Sequence, residues 1–213
     1  FEMTERGLSG IADPSWYLLD DRRPGLPGSV VVPVAEGQRP LLVEVQALVT
    51  RTSLGTPRRS AQGVPSGRLA MLLAIVEQQL GVSLGGSDVF VSVVGGVRVS
   101  EPAMDLGVAL AVASAALGRP VPAAAVACGE IGLGGEVRQV GHMERRLAEA
   151  HRLGFTSAVV AASAPAGPEG MQVGRAESLA AACRIAFGVP AEVAMASQSG
   201  NALLTCTIGD GAT

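Results

Sequence analysis

Residues 106–117 read LGVALAVASAAL, a run without a single charge. A helix that is apolar all round must be buried on most of its sides. Twelve residues are too few to cross a bilayer, so the burial has to come from the protein itself. The rest of the chain must therefore supply a sheet and further helices to enclose this segment. The material for that enclosure is aliphatic: 48% of the 213 residues are hydrophobic but only 3% aromatic, and Trp16 is the single indole. A charged fraction of 16% is that of a packed globular chain.

The elements around the run follow from its periodicity and punctuation. Residues 29–34 (SVVVPV) and 40–50 (PLLVEVQALVT) read as two strands about the turn AEGQR. Residues 67–80 place Leu69, Leu72, Leu73, Val76 and Leu80 on one helical face. DVFVSVVGG (88–96) predicts a strand closed by glycines, and 126–133 with 136–140 a hairpin about Gly134 and Gly135. An amphipathic helix over 143–153, a strand over 157–162 and a helix over 176–187 complete the series. Strands and helices interleave without strict alternation, which predicts an α/β fold of the α+β two-layer sandwich kind with a mixed sheet. Residues 1–27 read as a Pro/Gly-punctuated connector, 28–188 as the domain, and 189–213, rich in Ala, Ser and Gly, as a flexible tail.

Composition excludes more chemistry than it suggests. All 16 basic residues are arginine, so no Schiff-base lysine, P-loop lysine or Ser-Lys dyad is available. A net charge of −3 confines any nucleic-acid contact to a local patch. Cys128, Cys183 and Cys206 are odd in number and widely spaced, which predicts a reducing, cytoplasmic setting and neither a disulfide framework nor a zinc site. A chain opening on Phe1 without a basic leader predicts a piece of a longer protein with no signal peptide.

Three segments resemble the proteolytic domain of Lon-type proteases: MDLGVALA (104–111), GEIGLGGEVRQVG (129–141) and HMERRLAEAHRLGF (142–155). The resemblance implies a Lon-like fold, of the ribosomal protein S5 domain 2 type. It also locates two departures: Asp105 stands where the proteases carry their serine and Glu144 where they carry their lysine. With no lysine in the chain, the expectation is a domain without Ser-Lys peptidase activity. EPAMDLGVALA, RTSLGTPRR, SGRLAMLLAIVEQQLG and FEMTERGLSGIADPS together resemble the C-terminal part of the bacterial RadA (Sms) family of DNA repair and recombination proteins, over residues 1–188. That resemblance implies a parent with an N-terminal zinc module and a RecA-like ATPase domain that uses ATP and Mg, residues 1–27 being the end of that ATPase domain and its linker. It further implies a hexameric ring, branch migration with RecA, and a Lon-like domain serving as scaffold and DNA-contacting surface, with no cofactor of its own.

The candidate residues carry competing readings. Asp105 is either an N-cap of the buried helix, touching Arg145 or Arg146, or one half of an acid/base couple with Glu144 in a hydrolase. Arg51, Arg58, Arg59 and Arg68 fall in a stretch without acids between Glu44 and Glu77, on a polar loop that should present them. Their planar forks suit phosphate; the alternatives are a solvated loop or pairing with a neighbouring subunit. Arg145, Arg146 and Arg152 form a second basic stripe expected on a solvated helix face, with Arg145 and Glu149 spaced to pair. Arg98 is expected near the mouth of the buried helix as a subunit contact. Cys128 should pack in a strand and His142 should start a helix, and neither GEIGLGG nor GGVRV fits a nucleotide-binding loop. A purely structural assembly domain without DNA contact stands as the remaining alternative.

Overall fold

The computed structural model describes residues 2–4, 7–9, 13–36, 39–53 and 55–188. A short hairpin, β1 (Glu2–Thr4) with β2 (Gly7–Ser9), precedes helix α1 (Pro14–Leu19). The body then runs β3 (Ser29–Glu36), β4 (Arg39–Arg51), β5 (Arg59–Gln62), α2 (Ser66–Leu80), β6 (Ser87–Val93) and α3 (Asp105–Leu117). It continues with β7 (Ala125–Cys128), β8 (Glu130–Ile131), β9 (Val137–Arg138), α4 (Met143–Arg152), β10 (Ser157–Ala161), β11 (Gln172–Ala176) and α5 (Leu179–Phe187). Seven strands form one mixed sheet in the order β11-β10-β7-β3-β4-β6-β5. The four strands from β11 to β3 run parallel, β4 is antiparallel to both β3 and β6, and β5 returns parallel to β6. The expected α/β sandwich with a mixed sheet is what the chain forms.

The period of two along each strand divides the apolar residues between two faces. Val30, Val32, Val43, Val45, Ala127 and Val159 pack under α2, α3 and α5. Val31, Leu42, Val126, Cys128, Ala158 and Val160 pack under α4, through Met143, Leu147 and Ala150. α3 is enclosed from Asp105 to Ser114, as its all-apolar surface requires. Its small residues let it lie directly on the sheet: a Cβ at Gly107 would stand 2.2 Å from Val32 Cγ2. At the β5–β6 end no helix of the described residues covers the second face, and Gln46, Leu48, Ser60, Phe90 and Ser92 line an open groove there, Leu48 being 58% exposed. The sandwich has two layers at that end and three where α4 covers β3 and β4.

Several expectations need correction. Residues 1–27 are not a plain connector: Asp13 caps α1, its Oδ1 accepting from the backbone N of Ser15 and Trp16, with Pro14 at the first helical position. Residues 59–62 form a strand although RSAQ holds no β-branched residue, because this polar edge needs only the one partner, β6. Residues 94–96 leave β6 as a 3-10 turn. The hairpin is confined to β8 and β9, while 125–128 belongs to the main sheet. The last helix starts at Leu179 behind an N-cap at Ser178, since Ala176 closes the unforeseen edge strand β11. The expected tail 189–213, and Gly37 and Gln38 of the AEGQR turn, lie outside the described residues.

Candidate functional site

At the entrance to α3 the chain makes a 3-10 turn, Pro102–Met104, and passes directly into the helix. Asp105 is therefore already helical (φ −56, ψ −47), the N-cap position is Met104, and no side chain caps the helix. The cap reading fails on this geometry. The Asp105 side chain is 3% exposed and is held by a guanidinium from α2: Arg68 Nε donates to Oδ1 at 2.8 Å, and Nη2 donates to Oδ2. Oδ2 also accepts from the backbone N of Ile131, 3.1 Å away, at the start of the hairpin. One carboxylate thus joins α2, α3 and β8. The bond to Asp105 raises the pKa of Arg68 against the cost of its burial. The expected partners of Asp105, Arg145 and Arg146, lie elsewhere.

The four arginines of the expected patch separate. Arg51 and Arg58 are exposed. Arg59 donates to the backbone oxygens of Ser87 and Leu84, the second at 2.7 Å, so its fork tethers β5 to the turn before β6. Arg68 is committed to Asp105. The backbone N of Arg58 donates to Asp88 Oδ1 at 2.8 Å, and that bond foremost holds the Asp88 carboxyl below the usual carboxylate range.

The stripe on α4 separates in the same way. Arg145 is exposed. Arg146, expected in solvent, is buried, with 3% of its side chain accessible. Its fork meets Glu101 at 2.7 and 2.9 Å, and it also donates to Pro33 O (2.7 Å) and Gly141 O (2.9 Å). Burial, the largest single influence, opposes the charge of Arg146, but the contacts with Glu101 and Cys128 together raise its pKa. Arg152 donates to both oxygens of Glu149 and, at 2.5 Å, to Asp13 Oδ2, which fastens α1 to α4. Glu101 and Asp13 went unnoticed as partners; the Asp13-Pro14 pair is the signal that marks a cap.

Glu144 and His142 are exposed and line a cleft of about 410 Å³ with Gln139, Arg145 and Ser163; Asp105 is not among its lining residues. Cys128 is buried with its thiol 3.6 Å from Pro33 O, and burial pushes its pKa to about 12. It packs in a strand as expected, far from a reactive thiolate. No helix of the described residues is long and apolar enough to cross a membrane.

Fold and site together define a mixed α/β domain whose buried helix opens on a closed ion pair. Its relatives give that class a particular context. A protein of Halalkalibacterium halodurans named DNA repair protein RadA is 47% identical over 160 residues, 75% of this chain and 35% of the relative. Proteins of the same name from Escherichia coli (46% over 175 residues; 81% of this chain, 38% of the relative) and Bacillus subtilis (40% over 191; 88% and 42%) agree. No protein-family model matches the chain. The chain is a segment of a RadA-type DNA repair protein, and it spans about two fifths of the length of the curated relatives it matches.

Proposed function

We propose that this segment is a non-peptidase, Lon-like domain that assembles its parent into a ring and touches DNA. The observation that carries the reading is the Arg68–Asp105 pair. The position that the Lon resemblance gives to a nucleophile holds a carboxylate with both oxygens engaged, and an engaged carboxylate is a structural joint rather than a general base. The rival hydrolase reading needs Asp105 and Glu144 to face one solvent-filled cleft, and their separate surroundings speak against it. The DNA reading draws on the repair context of the relatives and on Arg51 and Arg58, which are exposed in an acid-free stretch. In this proposal the parent is a hexameric, ATP-driven branch-migration protein acting with RecA, and ATP, Mg and zinc belong to its other domains.

The test removes charge where no internal bond is lost. Arg51→Gln with Arg58→Gln should weaken DNA binding and reduce the slope of log affinity against log salt by roughly 1 per phosphate contact removed. Arg59 is unsuitable for this test because its loss would also untie β5. An unchanged slope would leave assembly as the domain's role. Light scattering that finds only monomer at high concentration would remove the scaffold as well.

A further inference from the structure

A cavity of about 620 Å³ opens beside the free edge of β5, between residues 61–65 and 96–100. The backbone bond from Val99 N to Gly63 O, 2.9 Å, joins its two walls. Arg98 is the only charged residue of the lining. It is exposed, and among the described residues it makes no hydrogen bond or ion pair. The next two acids along the chain are engaged elsewhere: Glu101 by Arg146 and the Ala35 amide, Asp105 by Arg68 and the Ile131 amide. The other polar groups of the lining can donate. Ser100 contributes a hydroxyl, and the Gln62 oxygen accepts from Ser92 Oγ at 3.4 Å, leaving its amide nitrogen to donate. The start of α2 at the rim has no capping side chain and no acid in its first turn.

From the unpaired guanidinium and the donors that line the same cavity, we infer that this cavity binds a phosphate group, with Arg98 as its anchor. A planar fork with further donors in the same lining suits a phosphate, whose several oxygens offer more acceptor positions than the two of a carboxylate. The phosphate can come from a nucleic-acid backbone or from a free phosphate; the chemistry at Arg98 is the same. This site is distinct from the exposed pair Arg51 and Arg58, and it does not require the DNA reading to be right.

Hydrogen exchange of the 213-residue chain, at constant ionic strength set with chloride, separates the outcomes. Inorganic phosphate and a short oligothymidylate are added in turn, with a glutamate-rich peptide as control. Either phosphate source should slow exchange in residues 95–100. Arg98→Gln should weaken that protection about tenfold, the loss of one charge-assisted forked contact, without changing the melting temperature in ligand-free buffer. Arg98→Lys should fall between the two. Protection by oligothymidylate alone identifies a nucleic-acid backbone as the source; protection by inorganic phosphate as well identifies a site open to free phosphate. The inference is overturned if neither protects the segment, if Arg98→Gln protects equally, or if only the peptide acts. Arg51→Gln/Arg58→Gln should keep the phosphate-induced protection even where DNA affinity falls, which distinguishes failure of this site from failure of the exposed pair.

Discussion

The two faces of the central sheet are held by different physics. Under α2, α3 and α5 the contact is aliphatic and close, with Gly107 letting a helix backbone rest against Val32. The opposite face has a smaller apolar cluster, and its helices are pinned by arginines: Arg146 through Glu101 and two backbone oxygens, Arg152 through Glu149 and Asp13. On that same face Arg22 lies 5.8 Å over the Phe155 ring and donates to Ala123 O at 2.8 Å. Burial lowers its pKa, with Glu44 opposing. A face short of hydrophobic area thus gains its specificity of placement from forked polar contacts, while the aliphatic face gains placement from shape.

Legibility in the sequence follows this division. The periodic elements of the aliphatic face, α2 and α3, were readable because burial repeats at the helical and strand periods. The long-range pairs were not, because nothing in the spacing links Arg146 to Glu101 or Arg68 to Asp105 across 45 and 37 residues. The arginines read as presented are in good part structural, Arg59, Arg68, Arg146 and Arg152 each being engaged inside the fold. Edge strands β5 and β11 escaped notice for a related reason: an edge is half exposed, so its residues need not be apolar or β-branched.

The sharpest break of the comparison is Arg146→Ala. Removing one partner of a buried pair leaves Glu101 partly buried without its cation, and two backbone acceptors lose their donor as well. Chemical denaturation should show a loss of about 3–5 kcal/mol. A loss below about 1 kcal/mol would mean that the apolar cluster under α4 suffices and that the two faces are held alike.

A smaller effect is expected at the joint of the aliphatic face. In a double-mutant cycle, Asp105→Ala and Arg68→Ala should couple by about 1–3 kcal/mol, as contacting residues in one network do. Arg68 is 30% exposed on its side chain, so solvent screening keeps the value below that of the Arg146 pair. Additive effects would instead mean that Asp105 stabilises the start of α3 by itself, which would restore the capping role that its backbone geometry contradicts. The cycle therefore decides whether this ion pair serves as a joint between α2 and α3 or as an accessory to helix formation.

The smallest effect concerns the start of α4, where the pinned face begins. His142 is the only residue other than glycine with positive φ among the described residues (φ 58). A left-handed backbone costs a side-chain-bearing residue roughly 1–2 kcal/mol, and glycine returns part of that relief as unfolded-state entropy, about 0.5–1 kcal/mol. His142→Gly should therefore raise stability by about 0.5 kcal/mol, measured as a higher denaturation midpoint with an unchanged slope. The sign matters more than the size. A gain shows that the turn into α4 is set by the chain's path between β9 and the Arg146 fork, which donates to Gly141 O one residue earlier, and that the histidine merely tolerates it. A loss shows that the imidazole contributes contacts in the Glu144 cleft worth more than the backbone strain, and would move that cleft from the margin of the fold to its function.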